Sequence, residues 1–129
     1  MTVVVAYLPT PEGEAAFAAG LAESKRRNEP LVVVNSPHTG APVSKTLADE
    51  PTLARLRESA AHHNIDLDVR LDGHTDDLVD KLLTIADGVD ASVIVIGLRH
   101  RTAVGKLLMG SNAQRILLHT KRPVLAVKA

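Results

Sequence analysis

The residues best placed to do chemistry lie between the aliphatic run Val93-Ile94-Val95-Ile96 and the segment Gly110-Ser111-Asn112. The run ends at Gly97, and the stretch that follows carries Arg99, His100, Arg101 and Lys106. Glycine lets backbone approach an anion closely, and the N–H groups of a helix start point at one with the positive end of the dipole behind them. Ser111 to about His119 reads as that helix, with Ser111 as its N-cap and a hydroxyl donor. The chemistry predicted is the holding of a phosphate-type anion rather than bond breaking. Ser111 lacks the Gly-x-Ser-x-Gly elbow of a nucleophile, since it sits in Met109-Gly110-Ser111-Asn112-Ala113. Gly105-Lys106 is followed by Leu107 and lacks the upstream glycine spacing of a phosphate-binding lysine loop, and the dinucleotide G-x-G-x-x-G is absent.

Other polar residues read as structural. His62 and His63 are adjacent, so on a helix they face different directions and do not hold one metal. His74 follows Asp72-Gly73 in an expected turn, and Asp66, Asp68, Asp72, Asp76 and Asp77 have the wrong spacing for a calcium loop. They read as caps and solvated charge. No general base and no acidic metal pair stands at a strand end, so the sequence predicts no catalytic residues and no metal site.

The elements that must position the glycine segment are legible from the apolar pattern. Five aliphatic runs, Val3–Leu8, Leu31–Asn35, Leu67–Leu71, Ser92–Gly97 and Val124–Lys128, read as strands, and Val3–Val5 and Val93–Ile96 are apolar at successive positions. Continuous apolarity means both faces are covered, as in a parallel sheet. Helical patterns lie between them. Pro11–Arg27 has Thr10 as cap, Glu12 and Glu14 in the first turn and Arg26-Arg27 at the end, with Ala15, Phe17, Ala18 and Leu21 among its apolar positions. Leu47–His63 and Thr75–Ala86, the latter stopping before Gly88, follow the same logic. The pattern βαβαβαβαβ predicts an α/β fold: a doubly wound five-stranded parallel sheet in the order 3-2-1-4-5 with helices on both faces. The ligand crevice of such a sheet lies beyond the strand C-termini where the order reverses, between the first strand, ending near Leu8, and the fourth, ending at Gly97. The segment Ser36–Lys45, with Pro37, Gly40 and Pro42, reads as a loop.

Composition narrows the function. At 129 residues the chain, 1–129, is expected to be one domain, large enough to bury roughly two-thirds of its unfolded surface without a disulfide or metal. It has no cysteine, which excludes a thiolate metal site and a cysteine nucleophile and is compatible with a reducing compartment. Fifteen acidic and fifteen basic residues cancel, so overall charge favours neither nucleic acid nor an anionic membrane. With one Phe, one Tyr and no Trp there is no platform for stacking bases of single strands. No run is long enough for a membrane span, and Met1–Val5 reads as a first strand rather than a leader.

These residues are similar to those of the universal stress protein family. Its adenine-nucleotide-binding members share Gly, two residues, Gly, nine residues, then Gly and Ser or Thr, running from the fourth strand into the last helix. Gly97 and Gly110-Ser111 fall at that spacing, and Lys121-Arg122-Pro123-Val124-Leu125-Ala126-Val127 resembles the family's last strand. The sequence departs at two places. His100 stands where the motif has its second glycine, and Tyr7-Leu8-Pro9-Thr10 stands where nucleotide-binding members carry an aspartate beside the adenine. The resemblance implies a cytoplasmic, stress-response homodimer, paired through Val124–Lys128, that is regulatory rather than an enzyme. It further implies ATP or a related adenine nucleotide, with or without magnesium. Phosphates would lie over Gly97, Arg99, His100, Arg101, Gly110, Ser111 and Asn112, and the base near Tyr7, Leu8, Pro9, Thr10, Val34 and Asn35. Two alternatives stay open: a dimeric interaction module of the same fold that binds no nucleotide, and a weak ATPase.

Overall fold

Five strands pair in parallel in the order β3-β2-β1-β4-β5: β1 (Thr2–Ala6), β2 (Leu31–Asn35), β3 (Leu67–Leu71), β4 (Ala91–Leu98) and β5 (Val124–Lys128). Four helices connect them: α1 (Pro11–Arg27), α2 (Glu50–His62), α3 (Leu78–Gly88) and α4 (Ser111–His119). The structure, a computed structural model, describes residues 1–35, 49–71, 78–98 and 110–129. The strand order is the one the apolar runs predict. β1, β2 and β4 are covered on both faces, which is why their residues are apolar in succession.

Alternate residues of each strand enter two separate cores. Val3, Val5, Tyr7, Leu31, Val33, Val93 and Val95 pack with Ala16 and Phe17 of α1 and Leu53 and Leu56 of α2. On the opposite face Val4, Val32, Val34, Ile94, Ile96 and Leu98 meet Val79, Leu82 and Ala86 of α3 and Ile116 of α4. The helices are thus divided between the two faces, α1 and α2 on one and α3 and α4 on the other.

α1 is built as its sequence predicts at both ends. The Thr10 hydroxyl accepts a hydrogen bond from Gly13 N at 3.1 Å, Pro11 opens the helix, and Asn28 ends it in the left-handed region at φ 55°. Asn64 and Asp90 do the same after α2 and α3, at φ 56° and 53°. All three returns to the sheet use Asn or Asp, whose short polar side chains tolerate this conformation. Of the apolar positions Ala15, Phe17, Ala18 and Leu21, only Phe17 lies in the buried stripe of α1. The stripe consists of Gly13, Ala16, Phe17, Gly20 and Ser24, all but Phe17 small residues that let the helix lie close to the strands.

That closeness is visible at three glycines. A Cβ on Gly20 would stand 2.2 Å from Cγ2 of Val5, and one on Gly13 would stand 1.7 Å from the carbonyl oxygen of Leu8. On Gly97, at the end of β4, it would stand 2.0 Å from the carbonyl oxygen of Glu12. Backbone and stiff valine cannot yield cheaply at such distances.

Element ends differ from expectation by a few residues. β1 stops at Ala6, because Tyr7 onward turns toward α1, and β4 extends over Ala91–Leu98. α3 continues through Gly88, where a side chain would meet nothing within 4 Å, and α2 begins at Glu50 on an Asp49 cap that accepts from Thr52 N at 3.0 Å. The predicted starts at Leu47 and Thr75, and the loop Ser36–Lys45, lie outside the described residues. Gly20→Ala and Gly97→Ala are each expected to lower stability by about 1–3 kcal/mol through overpacking. Gly88→Ala, by contrast, is expected to raise it by up to about 1 kcal/mol. Urea unfolding of the three variants checks both signs.

Candidate functional site

Between β1 and β4 the chain leaves the sheet in opposite directions, toward α1 on one face and toward α4 on the other. This is the topological switch point, and the C-terminal ends of the two strands frame it.

The β1 side is organised by Tyr7. Its main chain is clamped to the end of β2: Tyr7 N donates to the Val34 carbonyl at 2.9 Å, and Asn35 Nδ2, fully buried, donates to the Tyr7 carbonyl at 2.9 Å. The ring turns under α1 and meets Phe17 edge-on, with centroids 6.3 Å apart. The hydroxyl donates to Glu14 Oε1 at 2.5 Å, and Arg55 Nη2 of α2 reaches the same carboxylate oxygen at 2.5 Å. Burial, and after it the Glu14 carboxylate, push the Tyr7 phenol well above its ordinary pKa. The network joins β1, β2, α1 and α2 at one residue. Only Tyr7 and Asn35 of it were singled out in the sequence. Glu14 was read as a helix-start charge, and Arg55 gives no signal of its own.

The predicted base-side residues follow. Leu8 is half-buried and Pro9 exposed. Thr10 N donates to the Leu8 carbonyl at 2.8 Å, while the Thr10 hydroxyl caps α1. Val34 places its side chain in the α3–α4 core, so only its main chain faces this turn.

On the β4 side the space beside Gly97 is taken by the backbone of Glu12, so this glycine serves helix packing. Gly110 is exposed and is itself the N-cap of α4, without a side-chain cap. This corrects the reading of Ser111 as the cap: Ser111 is the first helical residue, and Asn112 follows half-buried. The first turn of α4 carries no acidic residue, so the helix itself does not neutralise its positive dipole end. A Cβ on Gly110 would meet nothing within 4 Å. Arg99, His100, Arg101 and Lys106 lie outside the described residues. Among the described residues no cluster of three or more His, Asp or Glu could hold a metal ion, and no helix is long and apolar enough to cross a membrane.

Comparison with known proteins agrees with this architecture. Residues 1–128 match the universal stress protein family. The chain is 42% identical over 130 residues to a universal stress protein of Mycolicibacterium smegmatis, covering 98% of this chain and 96% of that one. Its fold superposes on that of a universal stress protein from Archaeoglobus fulgidus with a TM-score of 0.79 at 27% identity, over 99% of this chain and 98% of the other. A second Archaeoglobus fulgidus structure, solved in complex with dAMP, gives 0.71 at 26% identity, over 99% and 98% of the two chains. The chain belongs to the universal stress protein family.

Tyr7 is the sole tyrosine and there is no tryptophan, so its ionisation can be read directly in the near ultraviolet. Unfolded, the phenol should ionise near pH 10. Folded, it should stay neutral well beyond that, because the native state holds the proton more tightly. The unfolded state then binds fewer protons, and stability is fully present below pH 10 and falls as pH rises through the folded value. Tyrosinate absorbance in native and urea-unfolded protein, with Tyr7→Phe as the variant that removes the pH-dependent loss, checks the sign.

Proposed function

We propose that the chain binds an adenine nucleotide across the C-terminal ends of β1 and β4 and acts as a regulatory dimer rather than as an enzyme. The carrying observation is the start of α4 at Gly110, which is exposed, has no side-chain cap and is followed by a first turn without an acidic residue. Such a helix end accepts a phosphate readily. The dAMP complex of the Archaeoglobus fulgidus relative supports the choice of an adenine nucleotide. In this reading the phosphates lie over Gly110, Ser111 and Asn112, at the end of the segment that starts from Gly97. Arg99, His100 and Arg101 supply cations, and the base lies toward Leu8, Pro9, Thr10 and Val34. ATP with magnesium is one candidate among adenine nucleotides. Titration calorimetry with ATP, ADP, AMP and cyclic AMP, with and without magnesium, is expected to show micromolar binding. Gly110→Trp should abolish it without unfolding the protein, since a side chain there meets open space. No heat from any nucleotide would make the chain an interaction module instead.

The dimer reading rests on the two sheet edges. β3 carries Asp68 and Arg70, ion-paired at 3.1 Å and exposed, whereas β5 runs Val124-Leu125-Ala126-Val127 before its first charge at Lys128. Charges guard an edge strand against pairing, and an apolar edge invites it. A second copy of β5 is the partner proposed. Ala126 is exposed, so Ala126→Lys should leave the fold intact and shift the protein from dimer to monomer in analytical ultracentrifugation. A wild-type monomer at high concentration would overturn the dimer.

A further inference from the structure

We infer that the side of α4 turned away from α3, together with the face of β5 beneath it, forms a second layer of contact with another copy of this chain. This rests on the β5 pairing proposed above and adds which further surface the partner covers. Successive helix residues are about 100° apart around the axis. Ile116 points into the core shared with the sheet, and Arg115, to one side of it, reaches Asp80 of α3 at 3.9 Å. Leu117 therefore lies on the other side, and it is 40% exposed. Ala113, four residues earlier, shares that side and is half-buried. Because α4 joins β4 to β5, the last strand of the sheet, this side lies toward the free edge. Val124 and Ala126 stand in register with Ile94 and Ile96 and share their face of the sheet. Val124 is half-buried and Ala126 exposed, whereas Leu125 and Val127, on the opposite face, pack against the core beneath α1. The result is an aliphatic trough along β5, with Val124 and Ala126 as its floor and Ala113 and Leu117 as its wall.

A second copy fits this trough for three reasons. The first is area. β5 has five residues, so two such strands meet over about 17 Å, and edge pairing of that length falls well short of the roughly 1,200–2,000 Å² that stable specific interfaces bury. A dimer held through β5 needs side chains beside the strand as well. The second is symmetry. Antiparallel pairing about a two-fold axis normal to the sheet keeps the same face uppermost in both copies, so the two α4 helices come to lie on one side of the joined sheet with these flanks turned toward each other. The third is charge. Close to a two-fold axis a charge meets its own copy, and like charges repel. The flank of α4 toward the free edge carries Ala113 and Leu117, while Arg115 and His119 lie on the flank toward α3. Leu118 has no part in this contact. It lies about 200° from Ile116, directed away from the sheet, and is 78% exposed.

Sedimentation equilibrium of the full chain, with Leu117→Gln, Leu117→Ala, Leu118→Gln and Ala126→Lys beside wild type, tests this. Leu117→Gln is expected to raise the dimer dissociation constant at least tenfold, because a two-fold interface places each substitution twice. Leu117→Ala, which keeps the best helix former in place and so guards against loss of the fold, should raise it at least threefold. Leu118→Gln should stay within about twofold of wild type, although it alters the more exposed leucine. Far-ultraviolet circular dichroism matching wild type establishes that each variant is folded. Folded Leu117 variants that dimerise as wild type does, beside a monomeric Ala126→Lys, overturn the α4 contact and leave the β5 dimer in place. A loss of affinity in Leu118→Gln equal to that in Leu117→Gln overturns it too, since the contact would then not follow this flank. A wild-type monomer at high concentration removes the dimer itself and the α4 contact with it.

Discussion

The structure depends on how closely α1 lies on the sheet. Three contacts set that distance: Gly20 against Val5, Gly13 against the Leu8 carbonyl, and Gly97 against the Glu12 carbonyl. Each puts a backbone carbonyl or, at Gly20, the Val5 methyl where any larger residue would place its Cβ, and together they fix the helix along its length and at its N-terminus. The turn between β1 and α1 has no slack, since it is held from above by α1 and from the side by β4. The turn at this end of β1 is therefore continuous with the packed core.

Within that frame the polar groups do a job the aliphatic core cannot. Val, Leu, Ile and Ala supply burial but no direction. Tyr7 and Asn35 supply direction, because a buried hydrogen-bonding group left unpaired costs more than a pair gains. Asn35 holds the Tyr7 main chain, and Glu14 holds its hydroxyl. The ion pair between Arg55 and Glu14, half-exposed on both sides, adds about 0–1 kcal/mol. Its value lies in orienting Glu14 toward the phenol rather than in its own energy. At the other end of the sheet Arg122 plays a similar part. It donates to Asp87 at 2.9 Å, to Asp90 at 3.2 Å and to the Ala91 carbonyl at 2.7 Å, which ties the entry of β5 to the turn before β4.

Much of this was legible in the sequence where a residue's own chemistry determined its place. Continuous aliphatic runs could only be strands covered on both sides, and Thr10-Pro11 could hardly be anything but a helix start. What could not be read were contacts decided by the element opposite. Gly13 and Gly20 look like weak points of a helix until β1 is seen beneath them. Gly97 reads as room for an anion, yet the carbonyl of Glu12 takes that room. Ser111 looks like a cap because serine so often is one, but Gly110 begins the helix with backbone alone. Tyr7 stood out as the sole tyrosine of an aliphatic chain, while its partners Glu14, seven residues on, and Arg55, on another helix, did not. The switch point between β1 and β4 followed from the strand order, whereas the groups around it depended on packing.

The unlike edges of the sheet also determine how far it can grow. In the proposed dimer, pairing through β5 would use the bare edge of both copies at once and leave a β3, with its exposed Asp68 and Arg70, at each outer margin. A ladder so terminated offers no apolar strand to a third chain. In the proposed dimer the same charges that make β3 a poor partner would act as end-stops, disfavouring the addition of a third chain.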